Sequence, residues 1–343
     1  MALSVDIEKR LGSFHLNVRF EAGDEVLSLF GASGCGKSMT LKCIAGIETP
    51  DRGRIVLDGR TLFDSEKHIN LPPQARRVGY LFQQYALFPN MTVAQNIACG
   101  VRDRSRADAA VAEIVRAMHL EGLERKRPNE LSGGQQQRTA LARILVNEPE
   151  VLLLDEPFSA LDSHLRFQLE EEVRAIIQSF GKTVLFVSHN REEVFRLSSR
   201  IALMRAGSIE TLGERNAVFA APRSVDAALL TGCRNLSRIE KLSPRRVRAL
   251  DWNAELDLAE DAGDAAFVGV RAHDIRLGAG ENTLRCRVTD QIENPFSVTV
   301  MLLPEGSGTA PISWRTSKKY WEAPPDGVLE ISFAKDAILL LKE

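Results

Sequence analysis

Short runs that are apolar almost throughout recur along the first part of the chain, Val26–Phe30, Val151–Leu154 and Thr183–Ser188 among them. Strands exposed on one face alternate apolar and polar residues; runs without alternation predict strands buried on both faces. Helical patterns lie between them, so the region reads as βαβ units around a parallel sheet. Between residues 90 and 148 such runs are missing, and Arg106–His119 and Gln135–Val146 carry apolar stripes at helical spacing, which predicts a helical insert. After residue 232 the pattern changes to short β-rich stretches punctuated by Gly, Pro and Asp: Arg246–Leu250, Ala266–Arg271, Leu284–Asp290, Ser297–Leu303 and Val328–Phe333. The expected organisation is an α/β domain over 1–232 and a small all-β, barrel-like domain over 233–343.

Composition changes this picture little. Of 343 residues, 44% are hydrophobic and 26% charged, as in an ordinary globular chain, and the length favours two domains. A formal charge of −2 argues for neither nucleic acid nor an anionic lipid surface as partner. Cysteines 35, 43, 99, 233 and 286 form no CxxC pair, which suits a reducing compartment rather than a disulfide framework or zinc site. The opening residues lack the apolar core of a signal peptide, and nowhere do 18 apolar residues run together, so a membrane role would mean docking to proteins already there.

The candidate chemistry begins at Gly31-Ala32-Ser33-Gly34-Cys35-Gly36-Lys37-Ser38, a complete GxxxxGK[ST] pattern between the strand Val26–Phe30 and the helical run Met39–Ala45. Its glycines let backbone N–H groups close around phosphates, and the helix that follows, from Met39, turns its positive end toward the same anion. Lys37 can neutralise phosphate charge, and the Ser38 hydroxyl can sit on Mg²⁺. A mere glycine turn would leave the Lys-Ser pair unexplained. Val151–Leu154 then delivers Asp155 and Glu156 to the C-terminal end of a strand, where open α/β sheets bind ligands. Asp155 suits the Mg²⁺ side, and Glu156 suits polarising an attacking water.

Leu131-Ser132-Gly133-Gly134-Gln135, shortly before that strand, separates the possible nucleotide enzymes. Here the chain resembles the ABC ATPases, whose signature motif this is, in a P-loop cassette with a helical insert. The resemblance implies that this loop grips the γ-phosphate of ATP held by a second subunit. By the same resemblance Gln83 is the glutamine that senses Mg²⁺ and water, Asp162 lies in the loop coupling two subunits, and His189 is the switch histidine contacting the γ-phosphate. Asn190 stands where an acid is commoner in the family, and Phe14 is the nearby aromatic candidate for stacking on adenine. Histidines 15, 68, 119, 164 and 273 lack such context and read as surface or packing residues.

A single uninterrupted motif set without fused membrane spans is similar to importer subunits: a homodimer with two integral-membrane permeases and, indirectly, an extracytoplasmic solute-binding protein, at the cytoplasmic face of the membrane. Ile69–Tyr80, Asn90–Ile97, Thr231–Asn235 and Val268–Ile275 most resemble the molybdate/sulfate group. That implies molybdate as cargo, with sulfate or thiosulfate and then a sugar or polyamine as alternatives. The tail lacks the group's Ser-Ala-Arg-Asn stretch, and Glu281-Asn282-Thr283-Leu284-Arg285 is its nearest counterpart. A regulatory module without turnover is disfavoured by the joint presence of Lys37, Asp155, Glu156 and His189.

Overall fold

The computed structural model describes residues 2–159, 163–306, 309–324 and 326–343. By its contacts the chain divides into two compact units, Met1–Val218 and Phe219–Glu343. The compositional break at 232 lies inside the second.

The first unit is built on one eleven-stranded sheet. In chain order its strands are β1 Leu3–Leu11, β2 Phe14–Ala22, β3 Val26–Gly31, β4 Arg52–Leu57, β5 Arg60–Asp64, β6 Ile69–Asn70, β7 Val78–Leu81, β8 Val151–Asp155, β9 Val184–Ser188, β10 Arg200–Arg205 and β11 Ser208–Glu214. Its helices are α1 Lys37–Ala45, α2 Pro73–Arg76, α3 Val93–Ala98, α4 Ala107–Ala117, α5 Gly133–Leu145, α6 Ser163–Phe180 and α7 Arg191–Leu197; α8 Arg215–Ala220 straddles the division.

The sheet is half parallel and half antiparallel. Its spatial order is β6-β5-β4-β1-β2-β11-β10-β3-β9-β8-β7. β10, β3, β9, β8 and β7 run parallel to one another, and each residue of β8 and β9 is buried. β1, β2, β4, β5 and β6 pair antiparallel. β2 alternates along most of its length, with Leu16, Val18 and Phe20 inward and His15, Asn17 and Arg19 outward. A parallel core therefore describes only the half formed from fully apolar runs. The other half consists of hairpin strands with one wet face.

Between β7 and β8 stand α3, α4 and α5, which together with their connecting segments supply Val93, Ile97, Val115, Met118, Leu120, Leu131 and Ala142 to a separate small core. Two of these helix starts, those of α3 and α5, have a chemical cause. Thr92 and Ser132 close capping boxes with Gln95 and Gln135.

The second unit carries α9 Val225–Leu230 and strands β12 Asn235–Ser243, β13 Arg246–Ala249, β14 Ala254–Asp257, β15 Phe267–Val270, β16 Arg276–Leu277, β17 Leu284–Glu293, β18 Ser297–Pro304, β19 Ile312–Ser317, β20 Val328–Ser332 and β21 Ile338–Leu341. They form two five-stranded sheets, β14-β13-β12-β15-β21 and β16-β20-β17-β18-β19. One apolar cluster takes residues from both sheets, Val247 and Val268 with Val300 and Ile331 among them, together with Trp252 and Phe333.

Candidate nucleotide site

Strand order brings the chemistry together. β3, β9, β8 and β7 are consecutive neighbours, so the loops at their C-terminal ends open side by side. The phosphate loop follows β3, Asp155 ends β8, and Gln83 and His189 follow β7 and β9 closely.

Glycine is required in the phosphate loop for close approach as well as for turning. A Cβ on Gly31 would lie 2.3 Å from the Met204 carbonyl, and one on Gly36 2.6 Å from Leu16 Cδ1. Gly36 also adopts φ 105° as the residue capping α1, with no side chain covering the N–H groups at that helix end. Ala32, Ser33 and Gly34 form the exposed tip, Cys35 is buried, and Met39 packs against the core. Lys37 Nζ folds back onto its own loop, donating to the carbonyls of Gly31 at 2.9 Å and Ala32 at 2.7 Å. Phe14 lies against this loop, its Cζ 3.1 Å from where a Gly36 Cβ would stand, and it also packs on the core.

On the acidic side, Ser38 Oγ donates to Asp155 Oδ1 at 2.7 Å. Glu156 turns away from the strand through a left-handed backbone (φ 47°) while its N–H still donates to Val187 O. For a residue other than glycine this conformation is strained, and such strain clusters at functional sites. It brings Glu156 between two partners: Gln83 Nε2 donates to Oε2 at 3.4 Å, and His189 Nδ1 is 3.3 Å from Oε1. The neighbouring Gln84 makes no such contact among the described residues, so the geometry distinguishes the two glutamines. His189 is itself 63% exposed. Its flanks are tethered instead, since Ser188 Oγ and Asn190 Nδ2 both donate to buried Glu193. Burial pushes the Glu193 carboxyl above its ordinary range, against the hydrogen bond from Ser188.

The segment after Gln83 is held from the insert. Arg143 on α5 donates to the carbonyls of Tyr85 and Ala86, both left-handed, and Asn96 on α3 pins Phe88 through Thr92. Tyr85 donates to the Pro157 carbonyl, and burial pushes its phenol up to about 12.

Among the described residues no hydrogen bond joins the signature stretch to this cluster. Leu131 is buried in the insert core. Exposed Ser132 caps α5, accepting from Gln135 N at 3.3 Å while Gln135 Oε1 accepts from Ser132 N. Gly134 is needed for packing as well, because a Cβ there would meet Leu169 of α6 at 2.6 Å. Asp162 lies outside the described residues.

Sequence reasoning missed Tyr80 and Arg76. Tyr80 on β7 donates to Asp155 Oδ2 at 2.7 Å, and burial, then the Asp155 charge, raise its phenol far above the ordinary value. The signal available in the sequence was its place three residues before Gln83, on the strand beside β8. Arg76 is fully buried and donates to the Cys43 and Ile44 carbonyls at the end of α1, to Leu71 O and to Asn70 Oδ1. No periodicity marks a buried guanidinium. In the second unit, Asn282 is spent on backbone groups of Asp257 and Phe333.

Comparisons with known proteins agree with this arrangement. The family profile described as ABC transporter matches residues 14–159. The spermidine/putrescine import ATP-binding protein PotA of Methylococcus capsulatus is 46% identical over 230 residues, covering 66% of this chain and 57% of that protein. PotA of Shigella boydii and of Escherichia coli K12 are each 40% identical over 264 residues, 74% of this chain and 68% of theirs. An ATP-binding cassette solved as a dimer in a post-hydrolysis state with ADP and Pi aligns at TM-score 0.52 and 29% identity, over 63% of this chain and 99% of that one. These relatives lend no support to the molybdate/sulfate resemblance; the cargo in their names is a polyamine. With the phosphate loop, the paired acids and the histidine at the ends of neighbouring strands and these relatives along most of its length, the chain belongs to the ABC transporter family of ATP-binding proteins.

Proposed function

We propose that the chain is the ATP-hydrolysing subunit of an ABC importer whose cargo is a polyamine. The observation that carries hydrolysis is the convergence of Gln83 and His189 on the strained Glu156, within 3.4 Å, beside the phosphate loop. In this reading backbone N–H groups of Gly34 to Met39 and the N-terminus of α1 hold the phosphates of ATP, and Lys37 swings from its own carbonyls to the β/γ-phosphates. Glu156 polarises a water whose oxygen bonds to the γ-phosphorus while the β–γ bridging oxygen leaves with ADP. His189 steadies the charge on the transferred group, and Gln83 orients the water.

The oxygen donors fit Mg²⁺. Ser38 Oγ and Asp155 Oδ1 are already adjacent, and Gln83 meets the next acid, Glu156. Among the described residues no group of three or more His, Cys, Asp or Glu is placed to hold a metal. A shell of few side chains completed by phosphate and water is what Mg²⁺ prefers. Bound there, Mg²⁺ would neutralise charge on the β/γ-phosphates.

The capping box of exposed Ser132 with Gln135 leaves the N–H groups of Gly133 and Gly134 at the start of α5 unused by it, which supports a head-to-tail homodimer in which each signature loop caps the partner's ATP. Two integral-membrane permeases and an extracytoplasmic binding protein would complete the transporter at the cytoplasmic face; no described helix is long and apolar enough to cross a membrane.

The polyamine reading rests on the relatives' names. Uptake of labelled spermidine, putrescine and molybdate in cells carrying Lys37→Ala tests it. Loss of polyamine uptake alone is expected, whereas loss of molybdate uptake with polyamine uptake intact would overturn the cargo and restore the oxyanion reading.

A further inference from the structure

We propose that Tyr80 is a positioning residue for the metal-side carboxylate: its hydroxyl anchors Asp155 Oδ2 and so reserves Oδ1 for Ser38 and Mg²⁺. The inference rests on the reading above that Asp155 faces the metal. It goes beyond that reading by assigning a task to a side chain on the neighbouring strand.

Register makes the contact. β7 and β8 run parallel, with Tyr80 opposite Leu153 and Leu81 opposite Leu154. A tyrosine is long enough to reach two residues along the partner strand, and its hydroxyl meets Oδ2 at 2.7 Å. The other oxygen takes the Ser38 hydroxyl at the same distance. A carboxylate rotates about its Cβ–Cγ bond, so an unanchored Asp155 could offer either oxygen, or neither, to a cation. With one oxygen tied to a strand of the core, the direction of the other is set before metal arrives. An O–H donor to an ionised carboxylate is among the strong hydrogen bonds, and partners of this kind tune metal affinity through the ligand they hold.

The same strand end serves the second acid. Three residues after Tyr80, Gln83 donates to Glu156. β7 and the residues just after it thus grip both adjacent acids at the end of β8, the metal-side one through the Tyr80 phenol and the water-side one through the Gln83 amide. The ring of Tyr80 is itself steadied by Phe82, with centroids 4.5 Å apart.

The test is Tyr80→Phe, which removes one oxygen and keeps the ring. In the full chain, the Mg²⁺ concentration giving half-maximal ATPase should rise about tenfold, with the KM for ATP at saturating Mg²⁺ unchanged. Mn²⁺ titrated into the chain with a non-hydrolysable ATP analogue and followed by electron paramagnetic resonance should show the same weakening without turnover. Asp155→Asn is the companion variant. If it shifts metal dependence and Tyr80→Phe does not, the anchoring role is wrong while the site reading stands. If Asp155→Asn has no effect either, the metal-side reading itself fails. A Tyr80→Phe chain with a lowered melting temperature but unaltered Mn²⁺ binding would also overturn the proposal, since the hydroxyl would then serve only packing.

Discussion

Two loops rich in polar residues sit at strand ends in the two units, and they use their side chains in opposite ways. At the end of β8, among the described residues, the Glu156 carboxylate meets Gln83 and exposed His189 through contacts of 3.3–3.4 Å, and its own backbone is strained. At residues 281–285, leading into β17, every polar side chain is engaged. Glu281 accepts from Lys335 N, Asn282 bridges Asp257 and Phe333, Thr283 closes on Gly280, and Arg285 pairs with Glu305. The first arrangement leaves hydrogen-bonding capacity and orientation for a ligand. The second consumes them in closing a loop. A motif-like string of polar residues is therefore evidence of a site only when its side chains are not already committed to the fold.

The strongest way to break the comparison is Glu156→Gln. It should reduce steady-state ATP hydrolysis by about 10²- to 10⁴-fold while nucleotide binding persists. Hydrolysis near the parent rate would mean that the converging contacts do not mark the base.

Arg76→Met tests the committed kind of polar group at its extreme. Removing a buried guanidinium leaves carbonyls at the end of α1 without donors, and denaturant melts should show a loss of about 3 kcal/mol.

Asn282→Ala should cost about 1–2 kcal/mol, because the backbone groups of Asp257 and Phe333 lose their partner. ATPase activity should be unchanged, and calorimetric titration of molybdate into the full chain should give no heat from the second unit. Binding there that disappears in the variant would reverse the reading of this loop.

Glu150 sharpens the contrast with the smallest effect. Burial opposes its charge, yet the hydrogen bonds from Arg60 and Arg77 hold its carboxyl below the ordinary range. A depressed folded value stabilises the chain above the ordinary carboxylate range, and that stability is lost as pH falls through the folded value. Glu150→Gln should therefore cost about 1 kcal/mol near neutral pH, and melts of parent and variant should converge at low pH.

What the amino-acid sequence determined by itself was whatever depends on residue type and near neighbours along the chain. The apolar runs of β3, β8 and β9 marked buried strands because burial on both faces excludes alternation. The phosphate loop was legible because only glycine turns and approaches as Gly31 and Gly36 do, and the signature stretch was legible as a motif of contiguous residue types. Tertiary structure alone decided what depends on strand order and register. The place of Gln83 rather than Gln84 against Glu156, the reach of Tyr80 to Asp155, and the burial of Arg76 beneath α1 join residues 32 to 75 positions apart. The antiparallel half of the sheet and the engaged loop at Asn282 belong here too, since pairing partners are not written in the composition of either strand. Cargo belongs to neither class, because residues that hold ATP need not touch the solute that is moved.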